Sequence, residues 1–124
     1  SRGQLVHDLL RQPSPARAVL ALSSEEAAAF GRFNVIGFDG RDLAWASNFP
    51  GHRSRALDAG IYGLSNGTLD APWPKVRRVR SHLERWLERG DDNLAELLAA
   101  LTDPTPHPDE ELPDTGIGLA HERF

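Results

Sequence analysis

Apolar positions recur at helical spacing near the start of the chain, alternate through its middle, and return to helical spacing after residue 74. Residues 4–11 set Leu5, Val6, Leu9 and Leu10 on one face, which predicts a core-facing helix. Pro13 and Pro15 end it, because proline lacks the amide the helix needs. Residues 16–22 read as a short Ala/Leu-rich helix. Ser23 or Ser24, followed by Glu25 and Glu26, caps a further one through Phe30, and Gly31 stops it.

The period then changes. Residues 33–38 are rich in aromatic and β-branched side chains, and Asp39-Gly40 reads as a hairpin turn. Residues 43–48 alternate Leu43, Trp45 and Ser47 against Ala44, Ala46 and Asn48. Pro50-Gly51 is a turn. Residues 56–64 read as a third strand, interrupted by Gly60 and Gly63, where glycine marks a bulge or a close backbone approach. Short connections make an antiparallel meander the natural pairing. After Pro74, Val76, Val79, Leu83, Trp86 and Leu87 form a helical stripe that ends at Gly90. Asp92 or Asn93 caps a last helix over residues 94–101. Residues 104–118 read as an acidic, proline-rich surface loop.

The expected fold class is α+β: an antiparallel β-meander with helices packed on it. The expected organisation is one domain, or a fragment of one, over residues 1–124. Helices fall within 4–30, strands within 33–64 and helices within 74–101. The helices that start near Gln4 and Pro74 are expected on one face of the sheet, with Val79 and Trp86 covered.

Composition narrows the chemistry. The chain has 124 residues, is 40% hydrophobic and 26% charged, and so can bury a core. A net charge of -4 argues against a general nucleic-acid binder, which needs excess cations to displace counterions. There is no cysteine, so thiolate catalysis, disulfides and cysteine-based zinc sites are excluded within this chain. No apolar run approaches the roughly 20 residues of a membrane helix, and the expected compartment is the cytoplasm. Arginine far outnumbers lysine beside abundant Ala and Pro, which points to a GC-rich bacterial source.

His7, His52, His82, His107 and His121 are scattered, with no pair at ligand spacing, so no metal site is expected. Lys75, Arg77, Arg78, Arg80, Arg85 and Arg89 share one helix; a solvated outer face opposite the apolar stripe accounts for them better than an anion site. The carboxylates between Asp109 and Asp114 match no calcium loop and read as solvated. Trp45, Trp73 and Trp86 read as core or rim residues, and Asn34 and Asn48 as edge or bulge residues of strands.

The least random stretch is residues 62–75, Y-G-L-S-N-G-T-L-D-A-P-W-P-K. It joins an apolar run to a helix through a turn, a place where folds mount polar groups between rigid flanks. Asn66-Gly67 is the commonest type I′ turn pair, so Asn66 reads first as a turn residue. The other reading is an amide that orients a catalytic group or donates to an oxyanion.

This stretch resembles the NRDE family, also called the transport and Golgi organisation family. Other stretches agree in order: the S-R-G-x-L-V start, Phe33-Asn34-Val35-Ile36, Ser47-Asn48 after a tryptophan, and the D-E-E-L-P-D-T-G-I-G run from Asp109. The resemblance implies an N-terminal-nucleophile hydrolase-like fold, a four-layer αββα sandwich. There an N-terminal Cys, Ser or Thr is activated by its own amine. The family's early Cys and its Asn-Arg-Asp-Glu motif are absent here, so the chain reads as a central part of a longer protein and is expected to be inactive alone. The implied full-length activity is hydrolysis of amide C–N bonds. Asn66 is then the candidate catalytic residue, and Asn34, Ser65, Asp70 and Trp73 are candidate binding residues. The alternative is a non-catalytic protein that binds or traffics haem or lipid, with His52 and Tyr62 the residues able to ligate. The implied partners are a small-molecule amide, a lipid or haem. No nucleic acid and no transmembrane segment are implied.

Overall fold

A serine stands before each of the first three helices in the computed structural model, which describes residues 1–90, 92–102, 106 and 112. α1 is Arg2–Leu10, α2 Pro15–Ala21 and α3 Ser24–Ala28. Ser14 Oγ accepts from the Arg17 amide at 3.2 Å, and proline fills the first turn of α2, where its missing amide costs nothing. Ser23 and Glu26 form a reciprocal capping box at α3. These local contacts let short helices form that would not hold alone in water.

The chain divides into two compact units, Ser1–Gly60 and Ile61–Phe124. In the first, β1 (Asn34–Phe38), β2 (Leu43–Ser47) and β3 (Arg53–Leu57) form an antiparallel sheet in the order β1-β2-β3. The register pairs Gly37 with Ala44 and Ala44 with Ala56, so these three lie on one face. α2 packs on that face. It comes so close at Gly37 that a Cβ there would lie 2.7 Å from the Pro15 carbonyl oxygen and 2.8 Å from Val19 Cγ2. Val19, Ala16, Ala44 and Ala46 are fully buried between helix and sheet, joined by Leu5 and Leu9 of α1, Ala27 of α3 and Phe33. The small residues of β2 are what allow the close approach. The other face carries Trp45, whose indole NH donates to Asn34 Oδ1 at 3.1 Å.

Two residues after Trp45, Ser47-Asn48 fastens the layers. Buried Ser47 donates to the Phe33 carbonyl at 3.0 Å. Asn48 Oδ1 accepts from the Phe33 amide at 2.9 Å, and its Nδ2 donates to the carbonyls of Ala27 and Phe30 at 3.0 and 3.2 Å. One side chain thus satisfies the backbone where α3 runs into β1.

In the second unit, α4 is Pro74–Arg89 and α5 is Leu94–Leu101. Gly90 closes α4 in the left-handed conformation and Asn93 caps α5. The two helices are joined by Trp86 Nε1, which donates to the Asn93 carbonyl at 3.1 Å, and by an Arg89–Glu96 ion pair.

The α+β class and the antiparallel meander are as expected, with four corrections. The third strand is Arg53–Leu57, not 56–64; the polar run ladders at the sheet edge, and 61–64 is irregular. On α1 only Leu5 and Leu9 are buried, while Val6 and Leu10 are exposed, because i and i+4 alone reach α2 and its neighbours. The helix on the sheet is α2, not α1, since Gly37 and the alanines of β2 admit it. On α4, Val79 and Trp86 are half-buried and Leu87 is exposed. Of the acidic segment 104–118, all but residues 106 and 112 lie outside the described residues.

Candidate functional site

Asp70 organises the stretch that leads into α4. Its amide donates to the Gly63 carbonyl at 2.7 Å, and its carboxylate Oδ1 accepts from the Gly63 amide at 2.8 Å. Residues 63–70 are thereby closed into a loop by both polar groups of one glycine. Asp70 holds φ at 56°, a conformation that aspartate tolerates better than most residues. Arg80 of α4 places Nη1 3.4 Å from the same carboxylate oxygen while its Nε donates to Glu84 at 3.1 Å. The basic helix is thus partly engaged by local carboxylates, and Arg77 Nη1 donates to the Pro72 carbonyl at 2.7 Å.

The loop packs against Trp73 and the first turn of α4. The Trp73 ring covers Gly67 so closely that a Cβ there would stand 2.6 Å from Cζ2, and Lys75 Nζ sits 5.7 Å from the centre of that ring. A Cβ at Gly63 would run into the Val76 side chain. Both glycines of Y-G-L-S-N-G are therefore demanded by close packing. Neither Asn66 nor Gly67 has positive φ, so the pair is not the type I′ turn its sequence suggests; the positive φ falls on Asp70. Nor does Asn66 lie at the end of the third strand, which stops at Leu57.

Asn66 is exposed at the far side of this closed loop, and Ser65 beside it is half-buried. A primary amide held at such a position can donate two hydrogen bonds to an incoming oxygen. Asp70 and Trp73, the other candidates in this unit, hold the loop's shape: one through its hydrogen bonds, the other through its ring. Asn34 belongs to the first unit, where its Oδ1 already holds the Trp45 indole. Ser47 and Asn48, read from sequence as strand and edge residues, turn out to be the pins of the first unit. Their signal is a Ser-Asn pair directly after an alternating strand.

The first unit also holds a cleft of about 480 Å³ between α1, α2 and α3, and none of the candidate residues lines it. Among the described residues no three His, Asp or Glu side chains come together as a metal site. Two carboxylates are held below their usual range. At Glu26 the cause is the Ser23 amide and hydroxyl; at Asp39 it is the Ser14 hydroxyl, then the Asp42 and Arg41 amides. No described helix is long and apolar enough to cross a membrane.

The sequence also matches a known family. The family model described as Transport and Golgi organisation 2 matches residues 1–123. A bovine Transport and Golgi organization protein 2 homolog is 30% identical over 94% of this chain and 44% of its own length. The human and mouse homologs are 29% and 27% identical over the same shares. The chain thus spans less than half the length of these relatives. No solved structure matches it.

Proposed function

Because the chain belongs to the Transport and Golgi organisation 2 family, we propose that it supplies the Asn66 loop to a larger hydrolase-like site that cleaves amide C–N bonds. In this reading the longer protein is of the N-terminal-nucleophile type, an αββα sandwich whose nucleophile lies outside these residues. Asn66 donates its amide to the oxyanion that forms as the nucleophile attacks the carbonyl carbon. Ser65 flanks it.

The observation that carries the reading is the loop over residues 63–70. It is fixed by Asp70 at one end and by Trp73 over Gly67, yet leaves Asn66 exposed. Such fixing stabilises any loop, but stability alone does not require Asn66 to be left exposed at its middle. A donor of an oxyanion hole does gain from being fixed, because it must be held in place before charge develops. The chain itself has no cysteine and, among its described residues, no hydroxyl paired to a base in this loop.

A non-catalytic role in binding or trafficking lipid is the second reading, supported by the names of the relatives, which speak of transport and Golgi organisation. Haem fits the described residues poorly. The chain lacks Met and Cys, and among the described residues no His or Tyr lines the 480 Å³ cleft. His52, whose buried Nδ1 makes no hydrogen bond, is a lone imidazole.

The test uses a panel of N-acyl p-nitroanilides with the longer protein and with this chain alone. Hydrolysis by the former and none by the latter is the expected result. No hydrolysis by either, with saturable binding of a fluorescent acyl lipid, favours the carrier.

A further inference from the structure

The cleft of the first unit has a composition that selects a ligand. Its walls are Leu5 and Leu9 of α1, Leu22 after α2, and Phe30 after α3. Its volume of about 480 Å³ lies inside the range of small-molecule sites. Among the described residues, the charged groups that line it are Asp8 and Glu26, with Gln12 as a neutral polar partner and no Lys, Arg or His.

Both carboxylates belong to residues that line this space, and each accepts local hydrogen bonds. Glu26 accepts from the Ser23 amide at 2.9 Å and from its hydroxyl at 2.8 Å, which keeps its carboxyl below the ordinary range and so ionised at neutral pH. Asp8 Oδ1 accepts from Gln4 Nε2 at 2.7 Å and lies 3.4 Å from His7 Nδ1. An apolar trough lined by two carboxylates, and by no cation among the described residues, disfavours fatty acids and phosphates. It attracts a cation that carries a hydrocarbon tail.

We propose that this cleft binds amphiphilic amines, with the alkyl chain against Leu5, Leu9, Leu22 and Phe30 and the ammonium group between Asp8 and Glu26. The assignment rests on the first unit alone and is independent of the role proposed for Asn66.

Octylamine, decylamine, octanol and octyl sulfate, each kept monomeric, would be titrated into the whole chain by calorimetry. Decylamine should bind about sixteenfold more tightly than octylamine, at about fourfold per methylene buried. Octanol should bind more weakly than octylamine, and octyl sulfate most weakly. Glu26→Gln keeps the capping box, because glutamine also accepts there. It should weaken octylamine by up to about fivefold and leave octanol unchanged. Ala21→Trp, at an exposed position lining the cleft, should abolish decylamine binding; Ala29→Trp serves the same purpose if the first variant does not fold. Octyl sulfate binding as tightly as octylamine, or decylamine binding unchanged in a folded tryptophan variant, overturns the proposal.

Discussion

Asp70 grips Gly63 twice, once with its backbone NH and once with its carboxylate. The loop that carries Asn66 is therefore closed by a single residue, and that residue is in turn braced by Arg80. Asp70→Ala should destabilise the protein by about 1.5–3 kcal/mol, the usual cost of a hydrogen bond to a charged group. Asp70→Asn tolerates the positive φ and keeps a carbonyl for the Gly63 amide, so it should cost less than half as much. Urea denaturation of the two variants checks the order; equal losses would show that the charge, not the hydrogen bond, closes the loop.

Gly37 is where α2 meets the sheet. Gly37→Ala forces a Cβ against the Pro15 carbonyl, a backbone atom that cannot step aside, and should cost about 1–3 kcal/mol. Gly31→Ala meets nothing within 4 Å and should be neutral to within about 0.5 kcal/mol. Thermal melts of both variants check this.

Asn48 satisfies a donor of Phe33 and the carbonyls of Ala27 and Phe30. Asn48→Ala leaves all three without that partner and should cost about 2–4 kcal/mol. Asn48→Asp should be no better, because a carboxylate then faces two carbonyl oxygens. Denaturation of Asn48→Asp at neutral pH is the check: a stability near that of the parent would show that the Phe33 contact alone matters.

These contacts show what the sequence can and cannot reveal. The caps at Ser23 and Asn93 were legible because a cap and its partner lie within a few residues. β1 and β2 were legible from aromatic, β-branched and alternating positions. β3 was not: Arg53-Ser54-Arg55 looks like a loop, while the apolar Ile61, Tyr62 and Leu64 drew the strand assignment past it. An edge strand with one wet side needs few apolar residues. The Asn66-Gly67 pair followed a local turn rule, but packing of Trp73 and the bonds of Asp70 decided the backbone there. Asn48 was legible as a position, but its partners were not, because they lie 15 to 21 positions away. The stretch 62–75 was legible as a place, and the way it is held was not.

Ser14 ties the start of α2 to the β1–β2 turn by donating to the Asp39 carboxylate. The same bond holds the Asp39 carboxyl below its ordinary value. A carboxyl with a depressed folded-state pKa contributes stability above its unfolded value of about 3.9, and that contribution is lost as pH falls through the lower folded value. Ser14→Ala should move the Asp39 titration, followed by NMR, back up toward an ordinary aspartate. It should also remove part of the acid dependence of stability below about pH 4. A titration that does not move would show that the Asp42 and Arg41 amides and the Arg17 charge set the value without Ser14.

We propose that the hydrogen bonds of Asp70 and the Trp73 ring hold the loop so that Asn66 can donate to an oxyanion. The measurement that tests it is turnover of N-acyl p-nitroanilides by the longer protein carrying Asn66→Ala, taken with its melting temperature. Asn66 is exposed, and an exposed polar side chain contributes little to stability. Loss of an oxyanion donor costs about 3–4 kcal/mol in the barrier, or roughly 100- to 1,000-fold in kcat. The expected result is that fall with a melting temperature nearly unchanged. A lowered melting temperature with turnover intact would contradict it and leave Asn66 a residue of the loop's architecture.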